Sequence, residues 1–243
     1  MEGFADIHSH ILWGVDDGAV DPEGMLAIVQ MAYRNGTRFL CATPHYHPGF
    51  FGENEQKSLQ VFNSLKTALQ RQYPDLRLAL GNELRYGPAA AEWLEKGRCR
   101  TLNESDYVLV DFSQSEAAGK IAEALRRLMN AGYRPILAHA ERYEKFGRDW
   151  KSIAQLRDMG VRIQLDAASI FGGWDRHSKH MSRILLKHQV VDYIASDAHD
   201  VDHRNPDLSK AFAFVSNQYG GRFAEDIFCR NAQKEIFQRS CSI

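Results

Sequence analysis

The feature of this sequence that most constrains its fold is the regular alternation of short apolar segments with helical segments along 243 residues. The apolar segments have the length and composition of buried strands, and helical patterns separate most of them. The seven strand segments cover residues 4–7, 37–43, 76–81, 107–110, 135–138, 161–165 and 191–195. Strands that alternate with helices in this way predict a mainly parallel sheet in an α/β protein.

The turns between helices and strands narrow this prediction to a barrel. Gly36, Gly132 and Gly160 each stand where a helical pattern stops and a strand follows at once. A glycine there can adopt the left-handed conformation that closes a helix. Several strand segments are continuous apolar runs, which burial on both faces requires. We favour a barrel of β/α units over an open sheet, because an open sheet would gather its polar residues at one switch point.

The composition fits one globular domain that spans residues 1–243, with 44% hydrophobic and 25% charged residues. Because 30 Lys and Arg nearly balance 31 Asp and Glu, a nucleic-acid partner is not indicated. The chain starts without a signal pattern and has no apolar run long enough to cross a bilayer, so we expect a cytoplasmic protein without membrane insertion. Four widely spaced cysteines predict neither a disulfide framework nor a thiolate site. The sequence does not fix the oligomeric state.

Side chains of metal-binding type follow most of the predicted strands. In a β/α barrel the carboxyl ends of all strands converge on one face, so these residues would share one mouth. They are His8, His10, Asp17, His45, Glu83, Asp111, His139, Asp197 and His199. A single residue of this kind is more often a helix cap or a hydrogen-bonded loop residue than a ligand. The joint pattern favours ligands, because capping gives no reason for every such position to hold a metal-binding type.

These five imidazoles and four carboxylates are too many for one ion, and they suffice for two or three divalent ions. Glu83 or Asp111 would be the bridging carboxylate. Mixed nitrogen and oxygen ligands without thiolate suit Mn, Fe or Zn better than Mg or Ca. A water molecule between such ions loses a proton near neutral pH and becomes a nucleophile. Hydrolysis of a phosphate ester uses this arrangement most directly.

Two arginines indicate a phosphate substrate. Arg142 and Arg204 each lie a few residues beyond a proposed metal ligand. Guanidinium groups beside a metal cluster suit the non-bridging oxygens of a phosphate, although each could form an ordinary surface ion pair instead. None of the cysteines is followed six positions later by an arginine, which excludes the cysteine phosphatase mechanism. There is also no glycine motif for a nucleotide.

Six short motifs together form a specific pattern. They are Asp6-Ile7-His8-Ser9-His10, Val15-Asp16-Asp17-Gly18, Thr43-Pro44-His45, Gly81-Asn82-Glu83, Ala138-His139-Ala140-Glu141-Arg142-Tyr143 and Ile194-Ala195-Ser196-Asp197-Ala198-His199. This combination resembles the PHP (polymerase and histidinol phosphatase) superfamily. More narrowly, it resembles the bacterial manganese-dependent protein-tyrosine phosphatases of capsule and exopolysaccharide operons, the CpsB/YwqE type.

The resemblance implies a distorted, TIM-barrel-like (β/α)7 barrel that holds up to three divalent ions, with Mn²⁺ as the expected metal and Fe or Zn as alternatives. The implied ligands are His8, His10, Glu83 and Asp197 for the first ion, Glu83, Asp111 and His139 for the second, and Asp17, His45 and His199 for the third. Arg142 and Arg204 match the arginines that hold the phosphate. One departure is Asp111, where members of this family usually have glutamate. The shorter carboxylate would move or weaken the second ion.

The resemblance also implies an activity, the hydrolysis of phosphotyrosine on the tyrosine-rich tail of a partner kinase that controls polysaccharide export. A tyrosine leaves as phenolate, since its pKa is about 10, and His45 or His199, where it is not fully committed to metal, would supply a proton. Two alternatives remain: a PHP phosphatase for a small molecule such as histidinol phosphate, and a non-catalytic, metal-binding regulatory module. The aromatic segments 46–51 and 171–174 form either walls for an incoming aromatic residue or core and lid packing.

Overall fold

The computed structural model describes residues 3–51, 55–147 and 149–238. Strands and helices alternate along these ranges. The strands are β1 (Phe4–Asp6), β2 (Thr37–Ala42), β3 (His45–Tyr46), β4 (Arg77–Leu80), β5 (Glu83–Arg85), β6 (Tyr107–Asp111), β7 (Arg134–Leu137), β8 (Arg162–Asp166) and β9 (Tyr193–Ala195). The helices are α1 (Pro22–Arg34), α2 (Glu55–Leu69), α3 (Ala90–Glu95), α4 (Ala118–Asn130), α5 (Trp150–Asp158), α6 (Arg176–Lys187), α7 (Ser209–Tyr219), α8 (Gly221–Glu225) and α9 (Asn231–Glu235). None of these helices is long and apolar enough to cross a membrane.

Local sequence signals set the ends of the helices. In α1 the Asp21 side chain accepts a hydrogen bond from the Gly24 backbone at 2.7 Å, and Pro22 occupies the first helical position, where its missing N–H group costs nothing. The helix ends before Gly36, which has a φ of 102°, and β2 begins with the next residue. Gly132 and Gly160 have φ values of 91° and 106°. The predicted helix-to-strand turns therefore rest on the left-handed conformation that glycine adopts readily.

The strands form one curled parallel sheet. The pairing order is β1-β2-β4 in one part and β3-β5-β6-β7-β8-β9 in the other. Strand β3 continues β2 beyond Pro44, and β5 continues β4 beyond Asn82, so the chain contributes seven bent or straight strands. At the open edge a parallel bridge joins Ser9 to Ala198, and His10 N donates to Ala198 O at 2.8 Å. The last strand therefore meets the first, and the predicted (β/α)7 barrel is confirmed.

The barrel interior is apolar near the amino ends of the strands and polar near their carboxyl ends. Leu109, Ile136 and Tyr193 belong to an inner cluster of side chains that are almost fully buried, and Phe237 from the C-terminal segment packs into the same cluster. The carboxyl ends of the strands lie at the opposite end. Side chains two residues further along a strand point to the same face, so the inner face of β6 ends at Asp111. The fold thus collects the polar strand ends in one mouth.

Candidate metal centre

The first ligand cluster lies where β1 ends beside the end of β9. His8 Nε2 and His10 Nε2 are 3.2 Å apart, and both belong to side chains with no exposed surface. Glu83 Oε2 lies 3.4 Å from the first of these nitrogens and 3.3 Å from the second. Asp197 Oδ1 lies 3.4 Å from each of them. Four donor atoms at these separations surround a space of the size that a transition-metal ion occupies.

The second cluster shares a carboxylate with the first. His139 Nε2 lies 2.9 Å from Glu83 Oε1 and 3.7 Å from Asp111 Oδ1. All three side chains are buried. Glu83 therefore presents one oxygen to each cluster, which is the arrangement of a bridging carboxylate. Asp111 also contacts Arg85 at 2.8 Å, so its second oxygen is turned away from His139.

The third cluster lies nearer to solvent. Asp17 Oδ1 lies 3.4 Å from both His45 Nε2 and His199 Nε2, and the Asp17 side chain is half-exposed. His10 also has a ligand atom within 4.8 Å of the ligand atoms of these three residues. Every residue that the sequence nominated as a ligand thus lies in one of three adjoining clusters.

The donor set fits divalent ions. Glu83 Oε2 is buried and makes no aligned hydrogen bond, although His45 Nδ1 lies 2.8 Å away. His199 Nε2 is also buried without an aligned hydrogen bond, and Asp17 Oδ1 lies 3.4 Å from it. Buried polar atoms without hydrogen bonds are costly, and donors that point at a shared space are satisfied when a cation occupies it. The set contains imidazole nitrogens and carboxylate oxygens and no thiolate, which suits transition-metal ions.

Outer partners orient the imidazole rings. His10 Nδ1 lies 2.7 Å from Asp16 Oδ2, so it carries the hydrogen and leaves Nε2 free for a metal ion. His199 Nδ1 donates to the Asp197 backbone carbonyl at 2.9 Å, and His8 Nδ1 lies 3.2 Å from Gln164 Oε1. The sequence offered a signal for Asp16, which adjoins Asp17. It offered none for Gln164, which lies between the apolar residues Ile163 and Leu165.

Two of the clustered residues have strained backbones. His139 has a φ of 34° and Asp197 a φ of 52°, and each lies two residues beyond the end of a barrel strand. Left-handed conformations are uncommon for residues other than glycine, and they persist where surrounding contacts hold them. Both residues turn sharply into the mouth of the barrel as a result. Two of the five described non-glycine residues with a positive φ thus lie at the proposed metal centre.

The charges in this centre are strongly coupled. Burial alone would lower the pKa of His45, but the adjacent Glu83 carboxylate raises it to about 9. Burial and Arg142 both act to lower the pKa of His139, yet hydrogen bonding and charge from the carboxylates raise it to about 9. Burial would raise the pKa of Glu83, whereas the surrounding imidazoles hold it well below its usual range. Without ions, His45 and His139 therefore retain protons that offset the carboxylate charge.

We expect ion binding to strengthen as the pH rises towards about 9. His45 and His139 have pKa values of about 9, and each must lose its proton before the nitrogen can bind an ion. Below that pH, ion binding releases protons, so lowering the pH favours the ion-free protein. Calorimetric titration with Mn²⁺ in buffers of different ionisation enthalpy would measure the protons released. An affinity that does not change between about pH 7 and about pH 9 would contradict this expectation.

A cavity of about 400 Å³ lies beside the clusters, and three arginines line it. Arg142 Nη2 and Arg204 Nη2 both donate to Asp197 Oδ2, at 2.8 and 2.6 Å. The Nε atoms of the same two arginines are buried and have no hydrogen-bond partner. Both guanidinium groups therefore carry donors without partners in the wall of the cavity that holds the proposed ligands. Arg85 lines the same cavity and was not nominated from the sequence.

The two aromatic segments have mixed roles. Tyr46 is buried and packs against Trp93 at 5.5 Å between ring centroids, so it belongs to the core. Phe51 stacks on His45 at 5.4 Å and covers one side of the third cluster. Trp174 lies over both arginines, with its ring centroid 3.7 Å from Arg142 Cζ and 4.8 Å from Arg204 Cζ. Only Phe51 and Trp174 therefore border the site.

Trp174, Asp197 and Arg204 line both the metal-side cavity and a second cavity of about 190 Å³. The second cavity is lined by the Phe171 ring and by Lys210. The loop that presents the tryptophan is tightly packed, because a Cβ atom on Gly173 would lie 2.9 Å from Ala168 Cβ. The ring of Trp174, which lines both cavities, is therefore held in place by its own loop.

Comparison with known proteins accounts for this combination of fold and clusters. The family described as "Capsular polysaccharide synthesis, CpsB/CapC" matches residues 4–237. This chain belongs to the CpsB/CapC family. The tyrosine-protein phosphatase CpsB of Streptococcus pneumoniae is 33% identical over 239 residues, which cover 96% of this chain and 98% of the relative. The tyrosine-protein phosphatase YwqE of Bacillus subtilis is 27% identical over 215 residues, covering 88% of this chain and 85% of the relative.

Solved structures support the same placement. A chain from the crystal structures of B. subtilis YwqE and S. pneumoniae CpsB, described as unique metal-dependent tyrosine phosphatases, superposes with a TM-score of 0.82 at 28% identity. The match covers 90% of this CpsB/CapC chain and 89% of that chain. The Escherichia coli phosphotriesterase homology protein has a TM-score of 0.64 at 12% identity, covering 97% of this chain and 99% of that chain. This second match shows the barrel fold alone.

Proposed function

We propose that this CpsB/CapC protein is a manganese-dependent protein-tyrosine phosphatase. The observation that carries the proposal is the juxtaposition of three imidazole–carboxylate clusters with two arginines whose Nε donors are unused. The names of the relatives from S. pneumoniae and B. subtilis support the same activity. The proposed ligands are those of the three clusters, and Arg142 and Arg204 are the proposed phosphate-binding residues.

The residues of the cavity divide the chemical work. Bound ions would supply Lewis acidity and activate water for attack on phosphorus. Arg142 and Arg204 hold the non-bridging oxygens and offset the negative charge that develops on them. The tyrosine departs as phenolate, which needs less proton donation than an alkyl alcohol because its pKa is about 10. His45 and His199 border the more exposed cluster, where either can supply a proton to the leaving oxygen when its ring nitrogen holds no ion.

We infer that the preferred ion is Mn²⁺, with Fe or Zn as the alternatives, because imidazole and carboxylate ligands without thiolate suit these metals. Asp111 is the weakest point of the second cluster, since it lies 3.7 Å from His139 and is also paired with Arg85. We therefore expect the second ion to be the first one lost when Mn²⁺ is limiting.

The proposed substrate is a phosphotyrosine-containing protein, specifically the tyrosine-rich tail of a partner kinase that controls capsular or exopolysaccharide synthesis. The family to which the chain belongs supports the link to polysaccharide synthesis. We propose that the whole chain, residues 1–243, is a single PHP domain that meets this tail in the cytoplasm. A metal-side cavity of about 400 Å³ is large enough to admit a phosphotyrosine side chain.

The deciding experiment compares two substrates with protein that has been stripped of metal and reloaded with Mn²⁺. A phosphotyrosine peptide and histidinol phosphate are offered separately, and release of inorganic phosphate is measured. Peptide turnover that requires Mn²⁺ supports the proposal. Turnover of histidinol phosphate alone would move the chain to the small-molecule alternative. Lack of turnover of both substrates by fully loaded protein would favour a non-catalytic regulatory module.

Replacing Trp174 with alanine is expected to weaken substrate binding. The ring lies over the guanidinium groups of Arg142 and Arg204, and it is 41% exposed. Contacts of this kind contribute about 0.5–2 kcal/mol, so KM for a phosphotyrosine peptide should rise about twofold to about 30-fold. Steady-state kinetics on Trp174→Ala would measure the change. Phe50→Ala is the matched control, because that ring is 78% exposed and borders neither cavity. An equal KM in both variants would contradict a role for the tryptophan.

A further inference from the structure

Strand β8 ends at the metal centre without supplying a member of the three clusters. It places Gln164 and Asp166 on the inner face of the barrel instead, and neither side chain has any exposed surface. Buried polar side chains require partners, because an unsatisfied one destabilises the folded protein. The partners of these two residues are a proposed metal ligand on one side and a proposed phosphate-binding arginine on the other.

The surroundings of Gln164 determine the orientation of its amide. The backbone N–H of His139 lies 2.9 Å from Gln164 Oε1, and a backbone N–H can only donate. Gln164 Nε2 lies 2.9 Å from Asp166 Oδ1, and a carboxylate can only accept. The oxygen therefore faces His139, and the nitrogen faces Asp166.

This orientation fixes the ring of a ligand. His8 Nδ1 lies 3.2 Å from the same Gln164 oxygen, so it must be the nitrogen that carries hydrogen. His8 Nε2 is then unprotonated in the neutral ring and points towards His10 and Asp197. One amide oxygen thus holds both the ring of His8 and the backbone that carries His139.

Asp166 continues the network to the phosphate side. Its Oδ1 accepts from Gln164, and its Oδ2 accepts from Arg142 Nη2. The same arginine nitrogen donates to Asp197 Oδ2 at 2.8 Å, and Asp197 Oδ1 lies 3.4 Å from His8 Nε2. The contacts therefore form a closed ring that passes through the first metal cluster. Arg142 is 8% exposed, so these contacts largely determine where its guanidinium lies.

We propose that Gln164 and Asp166 are positioning residues with separate tasks, in which Gln164 sets metal affinity through His8 and His139 and Asp166 sets phosphate affinity through Arg142. Neither residue touches the reacting atoms. The proposal rests on the proposed function only for the identity of the anion, since it applies to any phosphoryl group beside bound ions. Outer partners of metal ligands typically alter affinity by about 10-fold to about 100-fold.

The metal task is tested with Gln164→Leu and Gln164→Glu. Leucine has a similar size but cannot accept from His8 or His139, so Mn²⁺ affinity should fall about 10-fold or more in a chelator-competition titration. Glutamate keeps an oxygen facing both donors, so Gln164→Glu should bind Mn²⁺ more tightly than Gln164→Leu. Circular dichroism and thermal unfolding verify that each variant is folded. Unchanged Mn²⁺ affinity in folded Gln164→Leu would overturn this half of the proposal.

The phosphate task is tested with Asp166→Asn. Binding of inorganic phosphate to the Mn²⁺-loaded protein, followed by calorimetric titration, should weaken about 10-fold, while Mn²⁺ content and affinity stay within about twofold. In an Arg142→Ala background the same substitution should have no further effect on phosphate affinity, because its target is absent. An equal loss in both backgrounds, or a loss of Mn²⁺ from Asp166→Asn, would overturn the assignment.

Asp192→Asn is the matched control for Asp166→Asn. Asp192 is 2% exposed and contacts Arg157 and Arg162, but it precedes β9 and therefore lies at the end of the barrel away from the metal centre. This control should lose stability and keep both affinities. Phosphate and Mn²⁺ binding are measured without a phosphotyrosine substrate. A wild-type protein that binds both but hydrolyses no phosphotyrosine peptide would therefore contradict the proposed function and leave this test intact.

Discussion

His139→Ala is expected to abolish turnover of a phosphotyrosine peptide. His139 Nε2 lies 2.9 Å from Glu83 Oε1 and 3.7 Å from Asp111 Oδ1, so it is the only imidazole that we assign to the second cluster. Two carboxylates without this nitrogen would hold an ion weakly. Loss of several kcal/mol of charge stabilisation corresponds to a fall in kcat of about 1,000-fold or more.

The measurement combines kinetics with metal analysis. Elemental analysis of His139→Ala reloaded with Mn²⁺ should find the second ion missing, whereas the first and third clusters retain their ligands. His180→Ala is the control, because His180 is exposed on α6 and joins none of the described clusters. Near-normal turnover by His139→Ala would refute the assignment of the second cluster. Loss of all ions would instead mean that the three clusters bind metal cooperatively.

The barrel could be predicted from the sequence because its signals are local. Glycine turns and apolar runs mark the units, and parallel strands bring their carboxyl ends together whatever the loop lengths. The two bent strands could not be predicted in the same way. Pro44 lacks an N–H group and interrupts β2, and the Asn82 side chain donates to the Pro44 carbonyl at 2.9 Å. That contact joins residues 38 positions apart, which no local pattern reveals.

The residues that hydrogen-bond to the proposed ligands were even harder to predict from the sequence. Strand ends indicate which side chains reach the mouth, but they do not indicate which buried polar group orients them. Gln164 contacts His8 across 156 positions of sequence. The Arg85–Asp111 contact was missed for a related reason, because Arg85 belongs to the short strand that follows the bend. Such pairs come together only when the barrel closes, and no repeat in the sequence indicates them.

The sequence alone could not decide whether the aromatic segments 46–51 and 171–174 line the site or pack in the core, for a physical reason. Aromatic side chains serve equally well in cores and at binding sites, so composition cannot separate the two uses. The structure divides them residue by residue. Tyr46 is buried against Trp93, whereas Trp174 lies over two guanidinium groups at the edge of the cavity. Only the direction of each side chain distinguishes these roles, and a loop sequence does not encode that direction locally.

Arg142→Lys is expected to lower kcat/KM for a phosphotyrosine peptide about 100-fold while leaving the Mn²⁺ content unchanged. Lysine keeps the charge but loses the planar fork. Arg142 contacts both Asp166 and Asp197 and still has an unpartnered Nε–H, so one guanidinium can hold its carboxylate partners and donate to a phosphate oxygen. An ammonium group in the same buried place cannot reproduce these directions together.

Arg157→Lys provides the comparison for Arg142→Lys. Arg157 pairs with the buried Asp192 at the opposite end of the barrel, so its substitution alters an arginine–carboxylate contact without touching the metal mouth. Both variants should lose some thermal stability, and only Arg142→Lys should lose activity. An equal kcat/KM in the two variants would show that charge alone suffices at position 142. A loss of Mn²⁺ from Arg142→Lys would instead mean that the arginine holds Asp197 in place for the first ion, so that one guanidinium supports the metal centre as well as the phosphate.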